Sequence, residues 1–330
     1  MKCVYVLVST KQDYYYEQCL ISVKSLLMHN PDAEIVILTD NRTKAGMTGF
    51  RAELRDICSR IVSVDFEDRI TNKVRSRILK TTMRNLVEGD FLFLDLDTVI
   101  ADDLEKIKQI SADIACVLDK HADISEHYMY MYMYMNAKRL NYSVGYNNKH
   151  FNSGVMWVRD TDDARTFFKF WNQLYLEGLK KGIDVDQTSL NEANYRMNGI
   201  IYELEGIWNV QVNCGLKYIS SAKVIHYLGF QPQNSQNKYF NSLPFELCNE
   251  KLLREVKNKE KVTDEVIGII ESPKTSFKMV TIIPYDCAAH TIIFSNHMRV
   301  LKFIYVKLYR VYSFFEKIYG WLFLRLFKRV

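Results

Sequence analysis

Two aspartates, Asp95 and Asp97, directly follow a run of large apolar residues, 91–94. An uninterrupted apolar run is typical of a strand buried on both faces of a parallel sheet. Because side chains alternate along a strand, both carboxylates would project to the same side at its end. Divalent cations such as Mg²⁺ or Mn²⁺ favour carboxylate oxygens and would offset the repulsion between two anions. The pattern therefore predicts a metal site, although a helix cap or a solvated strand end would also explain it.

The elements that must position the two aspartates are short apolar β-rich runs alternating with segments of helical pattern. This alternation predicts an α/β fold in which helices flank a mostly parallel central sheet, with the site at the carboxyl ends of the strands. No Gly-x-Gly-x-x-Gly follows the first run, which argues against the usual dinucleotide-binding fold. The predicted strands are 3–9, 34–39, 60–65, 91–95 and 113–118, and the predicted helices include 15–28 and 75–86.

Three of the basic residues on the helix predicted before the acidic strand form a stripe. Arg77, Lys80 and Arg84 are spaced three and four residues apart, which places them on one face of that helix. Such a stripe is commonly a solvated surface. Alternatively, one or two of the three side chains reach over the strand end and neutralise a phosphate, with Arg suited to bidentate contact and Lys to a point charge.

Isolated polar residues occur at the ends of other predicted elements. Asp119 follows the fifth strand, and Asn152 and Ser153 begin a later one, where amide and hydroxyl groups could approach a ligand. Asp186 opens a predicted helix and would serve equally well as its N-cap. His226 ends a short strand, a position where a lone histidine is more often structural than a ligand.

Residues 128–135 alternate strictly between Tyr and Met. In an extended conformation this segment would have one Tyr face and one Met face. It is interpreted as an edge strand or core filler, or alternatively as a mobile flap whose phenol rings stack on a sugar or lipid.

The composition is that of an ordinary folded protein, with 48% hydrophobic and 25% charged residues in a chain of 330. The seven cysteines are widely spread and form no Cys-x-x-Cys pair, which favours a reducing compartment and neither a disulfide framework nor a zinc site. The apolar run at the start is too short for a signal peptide. Residues 299–330 hold eight Lys or Arg and one Glu, so the net charge of +5 belongs to this tail, which argues against nucleic-acid binding.

Three regions follow from these patterns: a domain over 1–235 that carries the predicted site, a connector over 236–290 with a charged helix at 245–270, and a C-terminal helical extension over 291–330. The extension is basic, aromatic and amphipathic, and its longest uncharged stretch, 318–324, is far below the roughly 20 residues that span a bilayer. We expect it to lie on an anionic membrane surface, which implies a cytoplasmic protein peripheral to the inner face of the membrane. The alternative is that it packs against its own domain or a dimer partner.

Four ordered motifs, 91–100, 150–158, 186–191 and 225–229, together resemble the retaining nucleotide-sugar glycosyltransferases of family 8. That family includes bacterial lipopolysaccharide galactosyl- and glucosyltransferases and glycogenin, and the resemblance covers residues 3–232. It implies the GT-A fold of nucleotide-diphospho-sugar transferases. It also implies transfer of glucose or galactose from a UDP-sugar to a glycan or lipid-linked glycan, as in lipopolysaccharide or capsule biosynthesis.

The resemblance further implies a role for each matching position. Asp95, Asp97 and His226 look like the protein ligands of Mn²⁺, with Mg²⁺ as the alternative. Gln187 and Asp186 look like the catalytic residues that hold the transferred sugar beside its anomeric carbon. The donor-binding residues implied by the resemblance are Thr10, Asp13, Tyr14, Arg77, Lys80, Leu96, Asp119, Asn152, Ser153 and Gly229.

The chain departs from the family's pattern after Gly229. The family often continues with Lys-Pro-Trp, whereas this chain reads Phe230-Gln231-Pro232, so one lysine contact with the diphosphate is missing. Arg77 or Lys80 is expected to replace it.

Two rival interpretations exist. A phosphohydrolase of the haloacid-dehalogenase type also has Asp-x-Asp after an apolar strand, but there the motif lies in the first strand and its threonine is one position later than Thr98. The second rival is a catalytically silent membrane-bound scaffold that keeps the fold and recruits partners through the tail.

Overall fold

The structure is a computed structural model that describes residues 1–124, 127, 130–143, 149–227 and 250–277, together with 311, 314, 317 and 318. Gly229 and most of the 291–330 extension lie outside the described residues, so the predictions made for them stay predictions. Within the described part of the chain, none of the helices combines the length and the apolar character needed to cross a bilayer.

The described residues form ten strands and nine α-helices. The strands are β1 (Lys2–Leu7), β2 (Glu34–Asp40), β3 (Arg60–Val64), β4 (Phe91–Leu94), β5 (Thr98–Ile100), β6 (Ile114–Leu118), β7 (Phe151–Val158), β8 (Ile201–Glu203), β9 (Val210–Gln211) and β10 (Val224–His226). The helices are α1 (Tyr15–His29), α2 (Asn41–Ala45), α3 (Glu53–Ile57), α4 (Asn72–Leu86), α5 (Tyr130–Leu140), α6 (Asp162–Lys180), α7 (Asp186–Arg196), α8 (Glu250–Lys259) and α9 (Asp264–Glu271).

Seven of the described strands form a central sheet in the order β3-β2-β1-β4-β7-β6-β8. Strand pairs β1–β2, β2–β3, β1–β4 and β6–β8 are parallel, whereas β7 runs antiparallel to both of its neighbours. Every residue of β4 is buried, as its apolar sequence predicts for a strand in the middle of a sheet. The predicted mostly parallel sheet is therefore confirmed, and the five predicted strands lie within one or two residues of the observed ones.

Helices cover both faces of this sheet because the side chains of β1 alternate between two cores. Tyr5 and Leu7 pack in the core that contains α1, and Val4 and Val6 pack in the core that contains α4 and α6. Trp171 of α6 is fully buried in the second core. The result is a three-layer arrangement with the ends of the strands left free to form a site.

A second sheet of three short strands, in the order β5-β10-β9, brings a distant histidine to the acid pair. Strand β10 pairs antiparallel with β5, so that His226 lies opposite Thr98, one residue after Asp97. The backbone N–H of Tyr227 donates to the Asp97 carbonyl oxygen at 3.0 Å. This pairing fixes the position of His226 beside the end of β4.

The segment 250–277 packs on this second sheet. Leu253, Val256 and Ile270 of α8 and α9 are buried in one apolar cluster with Val99 and Ile225 of β5 and β10. The single charged helix predicted for 245–270 is wrong in its described part, which forms two helices. The chain turns at Glu260, which has a positive φ of 50°, and the Thr263 side chain then caps α9.

The extended conformation considered for the Tyr and Met repeat is also wrong where the structure describes it. Residues Tyr130–Leu140 form α5, because the burial of Met133, Ala137 and Leu140 has the spacing of one helix face. Met is a good helix former, and this tertiary packing outweighs the two-residue alternation of side-chain type.

Candidate functional site

The acid pair lies where β4 ends. The Asp95 backbone N–H donates to the Gly154 carbonyl oxygen of β7 at 2.8 Å, and the Thr98 hydroxyl donates to the Asp95 carbonyl oxygen at 2.7 Å. The His226 Nε2 lies 3.2 Å from Asp97 Oδ1. One potential ligand atom from each of Asp95, Asp97 and His226 lies within 4.8 Å of the others, so the structure brings together all three predicted metal ligands.

The protonation of His226 follows from a chain of oriented amides. The Gly154 backbone N–H donates to Asn152 Oδ1 at 2.9 Å, so that oxygen is fixed as an acceptor. Asn209 Nδ2 donates to the same oxygen at 3.0 Å, which turns Asn209 Oδ1 toward His226 Nδ1 at 2.9 Å. Because a carbonyl oxygen only accepts, His226 Nδ1 carries a proton. Imidazole Nε2 can then act as a metal ligand.

These residues fit a divalent ion. A neutral imidazole Nε2 and the Asp97 carboxylate are both acceptors, so their 3.2 Å approach is favourable only if a proton or a metal ion lies between them. A divalent ion holds its oxygen ligands at roughly 2.0–2.6 Å, so two ligands of one ion lie at most about 5 Å apart, which the 4.8 Å cluster satisfies. Two carboxylates and one imidazole suit Mn²⁺ better than Mg²⁺, because nitrogen ligands favour the softer ion.

Gly154 is required by the close approach of the histidine ring. A Cβ atom at this position would lie 2.1 Å from His226 Cε1 and 2.9 Å from Asn152 Oδ1. Glycine therefore lets the backbone of β7 lie against the imidazole.

The same chain of hydrogen bonds continues from Asn152 to Asp119. Asn152 Nδ2 donates to Asp119 Oδ1 at 2.8 Å, and His127 Nε2 lies 2.9 Å from Asp119 Oδ2. Burial alone would raise the pKa of Asp119, but the His127 hydrogen bond and the charge of Lys120 hold it well below its ordinary value. Burial lowers the pKa of the neighbouring His150 to about 4. Asp119 is therefore an ionised, buried carboxylate that is linked to the metal-site histidine through two amides.

Arg77, Lys80 and Arg84 of α4 do not form a solvated stripe. Lys80 is buried and donates to both carboxylate oxygens of Asp95, at 2.9 and 3.0 Å. Arg84 is fully buried and donates to the carbonyl oxygens of Val87 and Gly89, so its role is structural. Burial in the second core explains why the face of α4 that carries them is turned inward.

Arg77 reaches the start of α7 instead. Its Nε lies 3.2 Å from Asp186 Oδ1, and this carboxylate raises the pKa of the guanidinium. Burial would raise the pKa of Asp186, but the charges of Arg77 and Lys80 lower it below its ordinary value. Asp186 is the first residue of α7 and not its N-cap, which is Val185. Asp186 Oδ2 is buried and has no hydrogen-bond partner among the described residues.

Three other predicted site residues are Leu96, between β4 and β5, Ser153 of β7 and Gln187 of α7. Gln187 Nε2 donates to the Phe151 carbonyl oxygen at 3.1 Å, Leu96 is half-buried between the two aspartates, and Ser153 is buried beside Asn152. Their proposed contacts with a donor stay predictions.

The loop of residues 10–14 follows β1 and is held partly by its own side chains. Asp13 accepts hydrogen bonds from the Ser9 hydroxyl at 2.7 Å, the Thr10 backbone N–H at 2.7 Å and the Thr10 hydroxyl at 2.9 Å. The Asp13 carboxylate therefore shapes the loop. The ring of Tyr14 lies 4.7 Å from Lys257 Nζ of α8.

Sequence reasoning missed Asn209 and Lys257. Asn209 is fully buried in a Trp-Asn-Val-Gln stretch whose alternation of apolar and polar residues indicates a strand, but nothing in that pattern marks a contact with His226. A polar residue between buried apolar neighbours was the one available signal.

Comparison with known proteins agrees with this geometry. The family model described as glycosyl transferase family 8 matches residues 6–232. The chain belongs to glycosyltransferase family 8. The predicted recognition of this family is confirmed, and the match covers the acid pair, the amide chain and His226.

Solved structures of other proteins share the fold of this family 8 glycosyltransferase. The galactosyltransferase LgtC in complex with donor and acceptor sugar analogs is 15% identical with a TM-score of 0.50, and an active-site mutant of LgtC is 16% identical with a TM-score of 0.53. Each comparison covers 81% of this chain and 99% of the LgtC chain. No curated protein sequence matches. The predicted GT-A fold is therefore confirmed.

Proposed function

We propose that this family 8 glycosyltransferase is a metal-dependent hexosyltransferase that moves glucose or galactose, with retention, from a UDP-sugar to a glycan or lipid-linked saccharide. The observation that carries the proposal is the convergence of Asp95, Asp97 and His226 within 4.8 Å at the carboxyl end of β4. The fit of this donor set to a divalent ion supports Mn²⁺ as the cofactor, with Mg²⁺ as the alternative. The similarity of the fold to a galactosyltransferase supports a hexose donor.

Transfer breaks the bond between the anomeric carbon and the diphosphate and leaves negative charge on the phosphate oxygen. A divalent ion held by Asp95, Asp97 and His226 would supply Lewis-acid stabilisation of that charge. Lys80 and Arg77 add fixed positive charge beside Asp95 and Asp186, at 2.9 and 3.2 Å. In our proposal these two cations replace the lysine that the family often has after Gly229.

On the sugar side the transition state has oxocarbenium character. The ionised Asp186 and the carboxamide of Gln187 lie at the start of α7, where they would hold the ring and support its positive charge. A carboxamide is a poor nucleophile. We therefore propose that the acceptor hydroxyl attacks from the diphosphate side and that the departing phosphate takes its proton. A trapped covalent adduct on Asp186 would contradict this mechanism.

The test is a screen of sugar nucleotides for Mn²⁺-dependent transfer and donor hydrolysis by the full chain. Asp97→Ala is expected to lower kcat by at least about 10²–10³-fold, because charge on the leaving group is no longer stabilised. The control is Asp32→Ala, an exposed aspartate before β2, at the opposite end of the parallel strands. Release of phosphate from simple monoesters would favour the phosphohydrolase, and no turnover with any donor would favour the scaffold.

We also propose that the 291–330 extension holds the enzyme on the inner face of the membrane from the cytoplasmic side. Val311, Phe314 and Ile318 are helical and exposed, and their spacing of three and four residues places them on one helix face. Exposed apolar residues in a segment whose sequence is basic support insertion into an anionic headgroup layer.

Vesicle flotation tests the membrane proposal. The full chain is expected to float with vesicles that contain phosphatidylserine and to remain unbound with phosphatidylcholine alone. A variant with Lys307, Arg310 and Lys317 changed to Gln should lose most of this binding, since each basic residue near the surface contributes about 1 kcal/mol. The membrane proposal would be contradicted if the wild type and the triple variant were recovered equally with the two kinds of vesicle.

A further inference from the structure

Helices α8 and α9 lie beyond the part of the chain that matches the family, which ends at residue 232. They are nevertheless built into the same protein core as the metal site. Leu252, Leu253 and Val256 of α8 share one apolar cluster with Ile21 of α1 and with Ile225, the neighbour of His226. Burial of these side chains fixes α8 against both α1 and the second sheet.

One residue of α8 contacts the loop of residues 10–14 directly. Lys257 Nζ donates to the Asp13 backbone carbonyl oxygen at 2.9 Å and lies 4.7 Å from the centre of the Tyr14 ring. The first contact is a charge-assisted hydrogen bond and the second a cation–π contact. A single half-buried ammonium therefore orients the backbone of one loop residue and the ring of the next.

The contacts of Lys257 complement those that the loop makes with itself. The Asp13 side chain holds the first part of the loop, through Ser9 and Thr10. Lys257, which lies outside the loop, holds the Asp13 carbonyl oxygen and the Tyr14 ring. The Lys257 ammonium also lies near the buried Glu17 of α1. Burial raises the pKa of Glu17, and the positive charges of Arg51 and Lys257 oppose this rise. Both ends of the loop are thus fixed in position.

We propose that Lys257 is a positioning residue for the donor: through Asp13 and Tyr14 it holds the 10–14 loop in the conformation that receives the uridine part of the UDP-sugar. This inference rests on the proposed function, since the family resemblance implies that Thr10, Asp13 and Tyr14 lie in the loop that would hold the uracil of the donor. It makes α8 a necessary part of the donor site. Ordering a side chain or loop during binding costs free energy, so a loop that is fixed in advance binds its ligand more tightly.

The experiment measures UDP binding to the full chain by isothermal titration calorimetry in the presence of Mn²⁺. Lys257→Met keeps most of the apolar stem and removes the charge, and we expect UDP affinity to fall about 5–20-fold, the range expected when about two groups, the Asp13 backbone and the Tyr14 ring, lose their fixed positions. The KM for the donor should rise by a similar factor while kcat at saturating donor is unchanged. Lys257→Arg should recover most of the affinity, because a guanidinium can also donate to a carbonyl and stack on an aromatic ring.

The matched control is Lys259→Met on the same helix. Lys259 is exposed, and its ammonium pairs at 3.6 Å with Glu255 of the same helix. We expect the UDP affinity of Lys259→Met to equal that of the wild type. Should Lys257→Met fail to fold, Lys257→Gln replaces it, since Gln keeps a donor for the Asp13 carbonyl oxygen and loses the cation.

The outcomes separate this inference from the proposed function. If the wild type binds no UDP, the proposed function is wrong. If the wild type binds UDP and Lys257→Met binds it equally well, the inference alone is overturned. A drop in Mn²⁺ affinity or in kcat as large as the drop in UDP affinity would also overturn it, because Lys257 would then act on the whole site and not on the loop.

Discussion

At the metal end of the site, formed by Asp95, Asp97 and His226, orientation is fixed by buried side chains, whereas the 10–14 loop at the other end is partly exposed and held mainly by local contacts. The histidine depends on a chain that runs from the Gly154 N–H through Asn152 and Asn209. The loop depends on several separate hydrogen bonds to Asp13 and on Lys257.

This difference has an energetic consequence. In a buried chain of amides every member orients the next one, so the loss of one link disturbs the protonation or position of all that follow. In the loop each contact acts separately and water can replace a lost partner. We therefore expect single substitutions at the metal end to have larger effects than single substitutions in the loop.

The largest effect is expected for Gly154→Ala. A Cβ atom 2.1 Å from His226 Cε1 must displace the ring, and overpacking of this kind costs about 1–3 kcal/mol of stability. Mn²⁺ affinity should fall about 100-fold, which is the upper end of the range expected when a group that orients a metal ligand is disturbed. Thermal unfolding and titration by electron paramagnetic resonance measure the two effects.

Gly268→Ala in α9 is the matched control for this substitution. A Cβ atom there meets open space, so the change should stabilise the helix by about 0.5–1 kcal/mol and leave Mn²⁺ affinity unchanged. If the two variants behave alike, the close approach of β7 to His226 is not important.

Asn209→Leu is expected to rank second. Without the amide oxygen, the Nδ1 proton of His226 loses its acceptor, and Mn²⁺ affinity should fall about 10–100-fold. In the metal-free protein, ¹⁵N NMR should show the proton on Nδ1 in the wild type and a mixture of tautomers in the variant. Asn30→Leu is the control, since Asn30 is also buried and hydrogen-bonded, to Leu104 N–H at 2.9 Å. An unchanged tautomer in Asn209→Leu would contradict the amide chain.

Arg77→Met should shift the pH dependence of the enzyme. In the wild type, Asp186 has a lowered pKa because the charges of Arg77 and Lys80 outweigh burial, so it is ionised at neutral pH and contributes stability that is lost as the pH falls through its folded-state pKa. Without Arg77 the pKa of Asp186 rises, and the acidic limb of the kcat/KM profile moves to higher pH. Arg69→Met, at an exposed arginine, should leave the profile in place. An unmoved limb in Arg77→Met would show that Asp186 does not control it.

The smallest effect is expected for Asp13→Ala. Its hydrogen bonds to Ser9 and Thr10 are partly exposed, and their loss should cost about 1 kcal/mol, or roughly a fivefold weaker UDP affinity. Mn²⁺ affinity should match that of Asp32→Ala, an exposed aspartate at the opposite end of the parallel strands. If Asp13→Ala weakened Mn²⁺ binding more than Asn209→Leu does, the proposed contrast between the two ends would be wrong.

Local signals explain what could be predicted from the sequence. The strand before Asp95 is predicted by a short run of apolar residues, and the helix that carries Arg77 is predicted by the helical spacing of its residues. Both elements lie close to their predicted positions. Only the family resemblance predicted that His226 lies beside the acid pair. A lone histidine at the end of a short strand does not by itself indicate a metal ligand.

Other features depended on contacts that no local pattern records. Asn209 directly precedes β9, a strand of only two residues, and Lys257 contacts a residue 244 positions earlier in the chain. For Arg84 and Lys80 the helical spacing was clear, but a basic stripe was read as a solvated or phosphate-binding face, and burial against neighbouring helices turned it inward. The described part of the Tyr and Met repeat, from Tyr130 onward, forms a helix because the packing of Met133 and Ala137 outweighs the alternation.

The pairing of β5 with β10 also bears on how the enzyme is made. Asp97 and His226 are separated by more than a third of the chain, and the helices that cover β10 follow later still. At a synthesis rate of about 5–20 residues per second, the acid pair leaves the ribosome several seconds before the histidine. During that interval the two neighbouring carboxylates have no imidazole beside them, so the three-residue cluster is complete only after most of the chain has been translated.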